Sequence, residues 1–355
     1  MSTHEETVIH HDIGEAPEGE HSAIARPAQP LASTSLQARH FVFLGLLAIA
    51  LVLPVVAKSF VVFQLTQTMV YAIAIVGLNL LTGFNGQFSL GHSAFYAVGA
   101  YTAAILMEHV GLGYVWTLPI AGIICFILGF LFGLPALRLD GVYLALATFA
   151  LAAATPQILK LSPLEHWTGG VQGIVIAKPD APFGLPLNQD QWLYYFTLIV
   201  GVILYLAAAN LVESRTGRAL MAIRDNPIAA RSMGVNTSLY KASAFGLSAL
   251  YTGVAGALGA IIVQFVAPDS FTLTLAIGFL VGLVVGGVGW LPGALFGGAF
   301  LLFVPNVAEN ISKGLSGAVY GVLLIAVIYL MPSGVAGFLQ MIVAKLSAHP
   351  RRRAR

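Results

Sequence analysis

Ser89 and His92 stand three residues apart in the segment GQFSLGHS, a spacing that brings two side chains to one face of a helix. A hydroxyl hydrogen-bonded to an imidazole is the first half of a nucleophile with its general base. The second half, a carboxylate to orient the ring, has no candidate nearby, and the segment only approximates GxSxG. The chain also holds no HExxH, no GxxxxGK[ST] and no Gly-Lys pair, so neither zinc-protease nor phosphate-loop chemistry has its residues. His4, His10, His11 and His21 match no tight metal-ligand spacing and read as members of a solvated tail. Cys125 lies in an apolar run, can form no disulfide within the chain, and reads as a small buried hydrophobe.

The elements that must hold these residues are membrane helices. Of 355 residues, 58% are hydrophobic and 9% charged, against about 25% charged in soluble domains. Several apolar runs reach the roughly 20 residues that cross a bilayer. Alternating strand patterns are missing, so the expected class is an all-α polytopic membrane protein with discontinuous Gly-rich segments. About ten transmembrane helices are expected, near 40–57, 61–82, 88–107, 116–136, 141–160, 192–212, 241–264, 272–289, 293–309 and 317–338. An N-in/C-in orientation puts thirteen of the seventeen Lys and Arg inside and leaves Lys58, Lys160, Lys178 and Lys313 outside. Residues 1–38 then form a disordered cytoplasmic tail, 39–340 the membrane domain and 341–355 a basic cytoplasmic tail. Residues 161–191 become an ordered extracytoplasmic loop and 213–240 a cytoplasmic loop. No apolar h-region stands near the start, so no cleaved signal peptide is expected.

Inside the expected spans, Asp, Glu and Lys are nearly missing; Glu108, Asp140, Lys160 and Glu213 fall at span ends, and His92 is the one ionisable group suited to an interior site. A carboxylate relay for protons cannot be built from them, although backbone carbonyls could still bind Na⁺. If the protein pumps, its energy enters from another polypeptide. The polar residues are concentrated between Gly77 and Tyr101: Asn79, Thr82, Asn85, Gln87, Ser89, His92 and Ser93, with glycines at 77, 83, 86, 91 and 99. Polar groups in lipid must face protein or water. Two readings stand: a solute pathway with a broken helix whose N-terminus near Gly86–Ser89 attracts a carboxylate, or helix packing by small residues with polar glue. A second Gly-rich stretch, Val281–Phe300, repeats VGL and AF 205 residues after 76–78 and 94–95, which hints at an internal duplication.

Between spans six and seven lies RTGRALMAIRDNPIAARSMGVN, residues 215–236. Gly217–Arg224 suits one short helix. Asn226 suits an N-cap, Pro227 the first helical position after it, and Gly234 the C′ position that closes a second helix. Such a basic helix pair either lies on anionic lipid or docks a partner.

GLNLLTGFNGQFSLGHSAFYAVGAYTAAIL, the loop segment SRTGRALMAIRDNPIAARSMGVNTSLYKASAF and the late VGGVGWLPGALFGGAF together resemble the permeases of branched-chain amino-acid ABC transporters, LivM type. The likeness runs over about 40–340, with the proline of GWLPG displaced from the family's usual GxxGP. It implies an importer subunit in a bacterial inner membrane. The implied partners are a second permease of LivH type, two cytoplasmic ATPase subunits, an extracytoplasmic solute-binding protein, amino-acid substrate and membrane lipid, with no nucleic acid. The implied coupling segment carries Gly217, Arg218, Ala219, Ile223, Arg224, Asn226, Ala229, Ala230 and Gly234, and the ATP and magnesium belong to the partner, so this chain is expected to bind no cofactor or metal and to be no enzyme. Alternatives are urea, short amides or other amino acids as cargo, an ATP-independent channel or facilitator, and a membrane enzyme using Ser89 and His92.

Overall fold

The computed structural model describes residues 45, 50–136, 139, 141–182, 186–311, 316–330 and 334–338. The expected tails, 1–38 and 341–355, lie outside the described residues. Helices dominate: α1 (Ser59–Asn79), α2 (His92–Glu108), α3 (Tyr114–Ala136), α4 (Val142–Leu159), α5 (Glu165–Thr168), α6 (Gln189–Glu213), α7 (Arg215–Asp225), α8 (Pro227–Ser232), α9 (Thr237–Val263), α10 (Leu273–Gly286), α11 (Gly293–Ile311) and α12 (Ser316–Leu330). A π-helical turn, Leu80–Phe84, extends α1. Nine of the ten expected spans coincide with helices; within the first, 40–57, residue 45 and residues 50–56 are helical. Among the described residues six helices are long and apolar enough to cross a membrane, which makes this an all-α polytopic membrane protein.

α9 is the mast of the bundle. Of its apolar window 83% is buried in protein, against 11% for α6, so α9 is sheathed by helices and α6 faces outward. Small residues make this sheathing possible, because lipid offers no hydrophobic drive to pull helices together and close backbone approach must supply the attraction. α2, α3 and α1 all pack on α9. A Cβ at Gly99 of α2 would collide with the Gly253 backbone of α9, and one at Gly77 of α1 would lie 2.7 Å from Ser248 O. Gly282 of α10 meets Gly297 of α11 in the same way. The VGL pair of the suspected duplication thus packs through glycine twice, once on α9 and once on α11.

At the end remote from α7 and α8, the chain forms a cap. Gln264 closes α9 in the left-handed region at φ 65°, and the strand β1 (Ile174–Val175) pairs antiparallel with β2 (Phe265–Val266), Ile174 opposite Val266. Lys160 pairs with Asp269 at 2.5 Å, and Lys178 pairs with Asp190 in the first turn of α6. Asn188 and Gln191 form a capping box there, satisfying backbone donors that would otherwise be orphaned.

Candidate functional site: a junction of three turns under a two-helix elbow

The elbow is built by two caps. Ser214 accepts from the backbone N–H of Thr216 at 3.1 Å and of Gly217 at 3.4 Å, and starts α7. Asn226 accepts from Ile228 and Ala229 N–H and starts α8, with Pro227 first in the helix and Gly234 (φ 83°) at C′ after Met233. The sequence points to Asn226, Pro227 and Gly234; it leaves Ser214 unnoticed, so the first helix begins at Arg215 rather than Gly217. Gly217 sits where the chain doubles back on α6: a Cβ would lie 2.5 Å from Leu211 O and closer still to Val212 O.

The elbow has two faces. Gly217, Leu220, Ile223 and Ala230 are buried against the bundle; Arg218, Asn226, Ala229 and Gly234 are exposed, and Ala219 and Arg224 are in between. The tip also exposes Ile228 (79%) and Met233 (86%), two large apolar side chains that the sequence reading passed over. Their signal was an apolar residue at each end of a short polar helix. Arg218 donates to Glu213 O, which ties the elbow to the end of α6.

Beneath the elbow three turns converge. Arg224 donates from Nη1 to Gly83 O at 2.9 Å, and its stem lies against Gly86, whose φ of 76° turns the chain from α1 into α2. Asn79 reaches the turn between α10 and α11: its Oδ1 accepts from Gly289 N–H at 2.8 Å and its Nδ2 donates to Trp290 O at 3.1 Å. Thr82 donates to Gln87 O, and Asn85 donates to Gln87 Oε1 at 2.6 Å. Ser89 precedes α2 rather than lying on it, because Gly91 is the N-cap and its N–H bonds Ser89 Oγ. The shared helix face expected of Ser89 and His92 is therefore a turn contact, with Ser89 Oγ and His92 Nδ1 3.2 Å apart.

The third member of that pair is a hydroxyl. Ser248 on α9 donates to Gly77 O at 2.6 Å, so its oxygen accepts from His92 Nε2–H at 2.7 Å, and Nδ1 accepts from Ser89. This chain fixes the ring tautomer and binds α1, α2 and α9 together; no carboxylate orients the ring. All seven residues Asn79, Thr82, Asn85, Gln87, Ser89, His92 and Ser93 are buried at the elbow end of the bundle. Asn85 Oδ1 and Ser93 Oγ have no partner among the described residues. Asn85 and Gln87 line a cleft of about 150 Å³ with Phe88, Leu144, Arg224 and Lys241.

The described residues thus form a multi-pass helical membrane protein packed through glycine contacts, with a capped two-helix elbow following α6 and bonded to the α1–α2 turn. Residues 60–328 match the family described as branched-chain amino acid transport system / permease component, and the chain belongs to that family. It is a multi-pass inner-membrane protein. It is similar to the high-affinity branched-chain amino acid transport system permease protein LivM of Salmonella typhimurium, 36% identical over 269 residues, which cover 69% of this chain and 63% of the relative. The protein of the same name in Escherichia coli is 36% identical over 268 residues, 69% of this chain and 63% of the relative. The permease LivH of Salmonella typhimurium is 27% identical over 301 residues, 75% of this chain and 91% of the relative. The aligned part spans about 63% of the length of the LivM relatives. No solved structure gives a significant match.

Proposed function

We propose that this chain is the permease subunit of an ATP-driven importer of branched-chain amino acids, and that α7 and α8 are its coupling element. The observation that carries this reading is the latch from Arg224 to Gly83 O, together with the exposed apolar tip of Ile228 and Met233. A partner that grips the tip pulls on the α1–α2 turn, and through Asn79 on the α10–α11 turn. The chain crosses the membrane about ten times with both ends inside, and the elbow faces the cytoplasm. Two ATPase subunits supply ATP hydrolysis, a second permease of LivH type completes the pathway, and an external solute-binding protein delivers the amino acid. The spans rock between outward-open and inward-open states by sliding along their glycine contacts. The polar knot from Asn79 to Ser93 forms the inner mouth of the pathway, with Asn85 and Gln87 facing its cleft. This chain itself holds no nucleotide, metal or cofactor.

Co-expression with ATPase subunits of a branched-chain amino-acid transport system tests the proposal. The complex is expected to co-purify, and Arg224→Glu is expected to keep ATP hydrolysis while losing most leucine uptake. Full-speed downhill flux without nucleotide favours a channel. Uptake of urea or amides in place of leucine changes the cargo and keeps the machine.

A further inference from the structure

The cleft beneath the elbow lies at the foot of an outward-facing helix. Asn85 and Gln87 enter it from the α1–α2 turn, Gly141 from the start of α4, Arg224 from the elbow and Lys241 from α9. Just past Gly141, α4 turns Val142, Leu146 and Phe149 outward at the i, i+4, i+7 spacing of one helix face, with Tyr143 beside them, and all four are exposed. Only 28% of the apolar window of α4 is buried in protein. A polar cleft at the foot of an exposed apolar stripe has the layout of a phospholipid, whose charged head sits at one end of its acyl chains. The cleft, about 150 Å³, holds about five waters' worth of volume, enough for a headgroup and too little for the chains.

The walls specify the head. Among the described residues that line the cleft, Arg224 and Lys241 are cationic and none is Asp or Glu. Arg224 is partly engaged: Asp225 Oδ1 stands 2.9 Å from both Nε and Nη2, and Nη1 donates to Gly83 O. Asp225 itself is exposed and outside the lining. A guanidinium carries more N–H donors than these partners use, so Arg224 can keep them and still donate to a phosphate oxygen. Asn85 is 2% exposed; its Nδ2 is spent on Gln87 Oε1, while its Oδ1 has no partner among the described residues. A buried acceptor without a donor is costly and rare without a reason. Cationic walls around a neutral, unpaired acceptor fit a ligand that carries an anionic oxygen and a hydroxyl donor together.

We infer that this cleft is a binding site for the headgroup of an anionic phospholipid that bears a hydroxyl donor, phosphatidylglycerol being the simplest, and that its acyl chains lie along the outer face of α4. Arg224 and Lys241 hold the phosphodiester, and Asn85 Oδ1 accepts from the headgroup hydroxyl. Because Arg224 serves both the headgroup and Gly83 O, a seated lipid fixes the guanidinium that latches the elbow. The site goes beyond the import reading: it needs only an elbow at a membrane face, and neither cargo nor ATP. Where the cleft is also the inner mouth, the headgroup forms part of its wall.

The test is lipid titration of the purified permease complex, delipidated in detergent and read by native mass spectrometry as lipids bound per complex. The probes are three dioleoyl lipids: phosphatidylglycerol; phosphatidylmethanol, which has the same charge and no hydroxyl; and phosphatidylcholine, which has neither net charge nor donor. The wild type is expected to bind phosphatidylglycerol on the order of 10-fold more tightly than phosphatidylmethanol, the effect of pairing one buried acceptor, and phosphatidylcholine most weakly. Asn85→Ala is expected to bring phosphatidylglycerol down to phosphatidylmethanol and to leave the latter unchanged; a merely structural role for Asn85 predicts an equal loss for both. Lys241→Gln is expected to weaken both anionic lipids alike by about fivefold, and it decides on its own should Asn85→Ala fail to assemble. Equal binding of the three lipids by the wild type, a hydroxyl preference that survives Asn85→Ala, or unchanged binding in Lys241→Gln overturns the inference. Displacement of phosphatidylglycerol by an equal concentration of soluble glycerol 3-phosphate overturns the part played by α4. Loss of the second permease from the Lys241→Gln complex assigns the face to that subunit and overturns the lipid site. Lipid binding that answers to Lys241 and Asn85 in a complex without ATP-driven uptake upholds the site and overturns the importer.

Discussion

Replacing Gly217 with alanine tests the lever directly. An added methyl group would stand 2.5 Å from Leu211 O, where a carbon–oxygen contact needs about 3.3 Å. Both obstructing atoms are backbone, so the helix must tilt by roughly 1 Å at this point, since its neighbours cannot rotate away. With the pivot at the Ser214 cap, about 4.5 Å back along the axis at 1.5 Å per residue, that shift is a tilt of about 13°. Arg224 lies about 15 Å from the same pivot and moves about 3 Å. The 2.9 Å bond to Gly83 O cannot survive such a displacement. A charge-assisted bond of this kind contributes about 1.5–3 kcal/mol, so the unlatched elbow becomes more populated by on the order of 10- to 100-fold. The assay is the ratio of leucine moved to ATP consumed in proteoliposomes holding the whole complex. That ratio is expected to fall at least tenfold while the subunits stay assembled. Gly111→Ala, in the turn between α2 and α3, is the control: φ there is 68° and nothing lies within 4 Å, so only a backbone cost of about 1–2 kcal/mol arises, outside the elbow. A wild-type ratio in Gly217→Ala, or an equal loss in Gly111→Ala, refutes the lever.

The remaining predictions concern the packing that the lever acts on. Ser248→Ala leaves the buried His92 Nε2–H without an acceptor and is expected to cost about 1–3 kcal/mol, read as a lower melting temperature in detergent. Adding His92→Leu to that variant removes the orphaned donor as well and is expected to recover part of the loss; a further drop counts against the hydroxyl–imidazole chain. Gly99→Ala pushes α2 off the Gly253 backbone and is expected to abolish accumulation in the membrane. Gly113→Ala, with open space around it and no left-handed φ, is expected to be tolerated; equal expression of the two shows that glycine contact is not what holds α2 to α9.

The elbow was legible because its determinants are local. Asn226 before Pro227, and Gly234 two residues past Ser232, specify a short capped helix whatever surrounds them. The polar stretch was harder, for a reason that arithmetic exposes. Its polar residues suggest a broken helix at mid-membrane, yet Ser59–Phe84 is 26 residues long, about 39 Å at 1.5 Å per residue, against a hydrocarbon core of about 30 Å. The helix exceeds the core by about 9 Å, enough for the polar run at its end to lie beyond it. Physical chemistry demands that these buried groups find partners, but it does not say which. Asn79 finds Gly289, His92 finds Ser248 and Arg224 finds Gly83, each more than a hundred residues away. Two of those three contacts end on backbone atoms of glycine, which carry no side chain to advertise the role. The step from elbow to bundle thus runs through atoms that every residue possesses, and glycine is used because only there can the chains come close enough for those atoms to be reached.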